Sequence, residues 1–183
     1  MSDPGRRVLF VGELVSIAIG IQPNSRKPLR RGTSATSWYE RGVAVEAADP
    51  AAAKAAYLRA LAALPAFADA HNNLGRIYHD AAPAPGVLAL AESHYRLAIC
   101  ADATVALYWF NLGVALEDQG RHAEALAAYD TAVGLDAGFA DAHFNLARLH
   151  EALGRARGDE LELQRAVRHL LRYRNLTRGA AIR

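Results

Sequence analysis

Three asparagines share one local context: Asn73 in NNLG, Asn111 in FNLG and Asn145 in FNLA, each two residues before a glycine or an alanine. A carboxamide both donates and accepts, so a row of them can pair with the backbone of an extended chain without reading its side chains. Arg76 and Arg148 follow two of these asparagines by three residues, and Phe110 and Phe144 immediately precede two. A guanidinium offers a planar fork to a carboxylate, and an exposed phenyl ring offers an apolar anchor. These residue types at this spacing fit recognition better than bond making.

Catalytic and metal chemistry find less support. Of seven histidines, His71 and His143 stand where a bulky packing residue stands in the parallel segments, and His79, His94, His122, His150 and His169 are scattered without metal-ligand spacing. The single cysteine, Cys100, excludes an internal disulfide and a CxxC redox or zinc motif, and its place near a helix end predicts a small buried thiol. No Walker loop, G-x-S-x-G or G-x-G-x-x-G occurs. The expectation is a protein that is not an enzyme and has no metal or cofactor.

The elements that position these groups follow from composition. Of 183 residues, 52% are apolar and 22% charged, which suits one folded domain, and roughly a fifth are alanine, which suits closely packed helices. The net charge is only +2, with residues 37–154 carrying seven basic and 14 acidic groups between two basic ends. That distribution is no nucleic-acid stripe, so no nucleic-acid partner is expected. Residues 8–21 form an apolar run after Arg6-Arg7, but Glu13 interrupts it and it is too short to span a bilayer. A short strand pair or partial disorder is expected there, with a linker following, no stable membrane insertion, and a cytoplasmic location. The domain boundary falls near residue 36.

An internal repeat organises the rest. WYERGVAV at 38–45, HNNLGRIY at 71–78, WFNLGVAL at 109–116 and HFNLARLH at 143–150 align, and each precedes a second helical pattern with alanine and a bulky residue four apart: Ala53 and Tyr57, Ala91 and Tyr95, Ala125 and Tyr129, Ala166 and Leu170. From Gly113 to Ala147 the step is 34 residues. This resembles the tetratricopeptide repeat. Close approach of the paired helices requires the small residues Gly42, Gly75, Gly113 and Ala147, while Trp38, Trp109 and the tyrosines fill the remaining core. The expected fold is all-α, an α-α superhelix of four units at about 37–66, 68–103, 106–138 and 140–176, with a basic non-repeat segment at 1–36 and a tail at 177–183. Departures from the pattern are expected as insertions in turns at 81–86 and 155–160. A last helix over 160–176 should cap the array, with Val167, Leu170 and Leu171 packed inward.

The resemblance implies a concave groove lined by the first helix of each unit. Asn73, Asn111 and Asn145 then form rungs along it, with Glu40 in that slot of the first unit, similar to the asparagine ladder in the repeat domain of O-GlcNAc transferases. Arg76, Arg148, Phe110 and Phe144 would complete a surface for a protein or peptide segment with acidic and apolar features. Asp80, Glu117, Asp118 and Glu151 could instead pair with the arginines. Replacing the three asparagines with alanine is expected to abolish capture and leave melting nearly unchanged. The two-carboxylate clamp of chaperone adaptors is not matched: Tyr39, Val43, Leu107 and Asn111 occupy its positions and only Asn73 agrees. Two other readings stand beside this one. The array is similar to bacterial repeat regions fused to MerR-type regulators, without the DNA-binding domain, and residues 8–21 could tether a scaffold to a membrane.

Overall fold

The structure, a computed structural model, describes residues 34–81 and 85–180. The strand pair expected at 8–21, the tether and most of the linker expected at 22–37 lie outside the described residues; the last three linker positions are already helical, since the first helix begins at Ala35. Eight helices follow one another: α1 (Ala35–Val45), α2 (Pro50–Ala63), α3 (Ala68–Ala81), α4 (Pro85–Ala101), α5 (Ala106–Asp118), α6 (His122–Leu135), α7 (Ala140–Arg157) and α8 (Glu160–Ala180). No strand occurs among the described residues. The most extensive contacts join α1 to α2, α3 to α4, α5 to α6 and α7 to α8, and each hairpin then packs on the next. This is the expected all-α solenoid of four helix-turn-helix units.

Local chemistry sets the helix ends. Ser34 accepts from the backbone N–H of Ser37 at 3.1 Å to start α1, and Asp49 accepts from Ala52 at 2.9 Å to start α2 with Pro50 in its first turn. Asp136 accepts from Gly138 at 2.8 Å in the turn before α7. Two glycines with positive φ, Gly120 (73°) and Gly158 (64°), close the turns after α5 and α7, where an L side chain would be strained.

The hairpins close on one contact repeated three times. A Cβ placed on Gly75 would lie 2.6 Å from the Tyr95 ring, and one on Gly113 would lie 2.5 Å from the Tyr129 ring; Gly42 faces Tyr57 in the same way. Tyr57, Tyr95 and Tyr129 are fully buried, each worth about 1.5–3 kcal/mol of apolar burial. In the fourth unit Ala147 replaces the glycine and the half-exposed Leu170 stands in place of the tyrosine, and the two line a common cavity instead of a closed contact.

Several expectations need correction. The extra residues of the fourth unit do not form an insertion, because α7 continues through Arg157 and the turn is only Gly158-Asp159. The last helix runs past residue 176 to Ala180. Val167, Leu170 and Leu171 are 57%, 49% and 52% exposed, whereas Ala166 is buried and Leu163, His169 and Tyr173 are partly buried. The inward face of α8 is therefore rotated from the one the apolar pattern indicates. Cys100 is exposed, because the small residues Ala91 and Ala98 take the buried face of α4. Trp38 and Trp109 are only partly buried, since the tyrosines already fill the centre.

Candidate functional site

The first helices place the sequence-picked residues along one side, but most of their polar atoms meet each other. Asn73 Nδ2 donates to Tyr57 Oη at 3.2 Å and reaches Tyr39 Oη at 3.5 Å. Tyr57 donates to Glu46 Oε2 at 2.5 Å, and Glu46 forms an ion pair with Arg76. The second half of the array repeats this. Asn145 Nδ2 donates to Tyr129 Oη at 3.3 Å, Tyr129 donates to Glu117 Oε2 at 3.1 Å, and Arg148 pairs with Glu117 at 2.5 Å. Asn111 departs from the pattern and donates to Asn72 Oδ1 at 2.8 Å, whose amide in turn donates to Asn73 Oδ1 at 3.3 Å. Each asparagine thus ties its unit to the preceding one. Burial, with the neighbouring Glu46 and Glu117, raises the Tyr57 and Tyr129 hydroxyls well above the usual phenol range and keeps them as donors.

The two phenylalanines diverge. Phe144 is 43% exposed and leans on Tyr173, with ring centres 5.2 Å apart. Phe110 packs between Phe139 at 4.9 Å and Tyr129 at 5.8 Å and belongs to the core margin. Arg76 and Arg148 remain about half exposed, at 48% and 53%, while paired with carboxylates that are only 14% and 12% exposed. Two cavities open along this side. One, of about 720 Å3, is lined by Tyr39, Val43, Asn73, Arg76, Ile77 and Asp80 among others. The other, of about 400 Å3, lies between Phe144, Ala147, Arg148, Glu151, Leu163 and Leu170.

The histidines are not scattered. His71 Nδ1 lies 3.1 Å from His94 Nδ1, and His143 Nδ1 lies 3.0 Å from His169 Nδ1, in the equivalent place of the fourth unit. His150 is buried against Glu162, and His79 meets Asp118 at 2.7 Å. His71 Nε2 donates to the Pro65 carbonyl at 2.9 Å and His143 Nε2 to that of Ala137 at 3.3 Å, each six residues back. Trp109 Nε1 makes the same bond to Ala103 at 2.9 Å, so an imidazole stands in for an indole. Burial, then the neighbouring imidazoles and cations, lowers His94 and His169 to about 4. No group of three or more metal-ligating side chains is assembled among the described residues.

Sequence reasoning offered Glu117 as a partner for the arginines, which Arg148 takes, but missed Glu46 and the partners of His71 and His143. The missed signal is a two-unit period: Trp38 and Trp109, Glu46 and Glu117, His71 and His143, Arg76 and Arg148 recur 71 or 72 residues apart. No helix among the described residues is long and apolar enough to cross a membrane.

A family model for the TPR repeat matches residues 118–154, the stretch spanning α6 and most of α7. No curated protein sequence matches the chain. Among solved structures, a crystal structure of MamA superposes with a TM-score of 0.70 at 17% identity, covering 93% of this chain and 87% of that one. MamA from Desulfovibrio magneticus gives 0.64 at 19% identity, with 80% and 77% covered. The first TPR of Spaghetti (RPAP3), bound to an HSP90 peptide, gives 0.61 at 20% identity, with 66% and 94% covered. At these identities the likeness is one of fold.

Proposed function

We propose that the chain, an array of four helix-turn-helix units in which residues 118–154 match a TPR repeat model, is a non-catalytic protein-interaction module holding a peptide or protein segment along its concave groove. The observation that carries this reading is the recurrence of one surface design in both halves: a half-exposed arginine, held by a mostly buried glutamate and flanked by an asparagine, at the edge of an apolar cavity. Tethering each guanidinium to the scaffold lowers the side-chain entropy lost on binding while leaving N–H donors for a carboxylate. Phe144, beside the second arginine, supplies the apolar anchor. The segment that fits carries acidic and apolar side chains together. The first TPR of Spaghetti (RPAP3), a solved neighbour of the same fold, is bound to an HSP90 peptide, which supports a peptide-binding role for an array of this kind.

The test is a panel of peptides with acidic and apolar residues titrated by fluorescence anisotropy against the wild type, Phe144→Ala and Arg148→Glu. Selected peptides should bind the variants at least about tenfold more weakly. Binding that is indifferent to both substitutions rejects the groove.

A further inference from the structure

The last helix keeps a stripe uncovered. Glu160, Gln164, Val167, Leu171, Arg174 and Arg178 recur at alternating steps of four and three, so they share one face of α8, and all six are exposed. Aligning Ala166 with Ala91 of α4 places Val167 on Glu92 and Arg174 on Ile99. In α4 these positions meet the following unit: Glu92 accepts from Gln119 at 3.0 Å and Arg121 at 2.6 Å, and Ile99 packs into the core cluster around Leu112 and Leu116. At Val167 and Arg174 the face of α8 is thus one that stacking covers elsewhere in the array, while Leu171 aligns with the half-exposed Arg96; here the stripe carries apolar residues at its centre.

The opposite end is different. The residue just before the small one in the first helix is Leu74, Leu112 or Leu146 in the later units, all buried, but Arg41 in α1, where it is exposed and lies over the Trp38 ring at 5.0 Å. An arginine at this place, between Trp38 and Val45 on the same face, makes the outer side of α1 more polar than those of the later units and disfavours continuing the array head to tail through α1.

The charge order along the stripe points to another partner. Its N-terminal end is acidic, its centre apolar and its C-terminal end basic, and the sequence is symmetric about residue 169. Two such helices laid antiparallel set Glu160 of one copy against Arg178 of the other, Gln164 against Arg174, and Val167 against Leu171. The ion pairs already present on α8 use Glu162 and Arg165, on another face. We propose that α8 is a self-complementary interface through which two copies of this chain pair about a two-fold axis. Such an isologous contact closes at two subunits.

Sedimentation of the chain from about 1 µM to about 1 mM tests this. The mass should rise toward two chains and no further. Leu171→Glu should weaken association at least about tenfold with helicity retained by circular dichroism. Glu160→Arg and Arg178→Glu should each weaken it, and the two together should restore it, because under two-fold symmetry the exchanged charges meet again. A one-chain mass throughout, open-ended growth, association indifferent to Leu171→Glu, or a double exchange as weak as the single ones overturns the proposal.

Discussion

His71 and His94 meet Nδ1 to Nδ1 at 3.1 Å in a buried contact, and only one arrangement of protons satisfies it. His71 Nε2 faces a carbonyl and must carry hydrogen, so its Nδ1 accepts and His94 Nδ1 donates. A further proton on His71 turns its Nδ1 into a donor and forces His94 to move its own proton to Nε2, and His94 also faces the Lys54 ammonium. His143 and His169 repeat the arrangement beside His150.

Stability should therefore fall in acid. A free histidine titrates near 6.5, while burial, helped by His71 and Lys54, lowers folded His94 to about 4. The unfolded chain binds the proton first, so the contribution is complete above about pH 6.5 and is lost as pH falls toward about 4, on the order of 3 kcal/mol for His94. Thermal melts from neutral pH down to about 4 follow the loss. The double variant His71→Trp with His94→Ala, which copies Trp109 and Ala128 of the third unit, should flatten the profile. An unchanged slope in that variant rejects the assignment.

The glycine and tyrosine contact predicts a compensating pair. Gly75→Ala should cost about 1–3 kcal/mol, because the new methyl group meets the Tyr95 ring at 2.6 Å. Adding Tyr95→Leu reproduces the Ala147 and Leu170 pair of the fourth unit, so the double variant should be more stable than the sum of the single effects requires. A double-mutant cycle in urea measures the coupling.

The asparagines should matter for stability as well as for any ligand. Their amides bridge units, so the combined replacement of Asn73, Asn111 and Asn145 by alanine should lower stability by roughly 0.5–1.5 kcal/mol per site. This replaces the expectation that melting would be unaffected. Denaturant midpoints equal to wild type would show that water replaces these bonds without loss. The Arg148 and Glu117 pair is half exposed at the arginine and mostly buried at the glutamate, so Arg148→Ala should cost about 1 kcal/mol.

Cys100 should react with a thiol-specific reagent in the native protein. Its side chain is exposed at the end of α4, so one equivalent should be labelled without denaturant. Labelling that requires unfolding would place the thiol inside.

The sequence by itself determined the four hairpins, because the pattern of a small residue on one helix facing a bulky residue on the next is local and recurs within each unit. Spacing alone pairs each first helix with the alanine-rich helix after it, whereas only the structure shows that Gly42, Gly75 and Gly113 meet Tyr57, Tyr95 and Tyr129. The same locality located the first-helix residues on one side of the array. Only the tertiary structure decided what their polar atoms do, since Asn73 meets Tyr57 and Arg148 meets Glu117 across unit boundaries, and such contacts depend on the stacking angle between hairpins. The two histidine pairs and the exposed stripe of α8 were hidden for the same reason. An apolar residue at helical spacing tells that a helix has a face, but the neighbour that covers it is set by the rotation of the whole element.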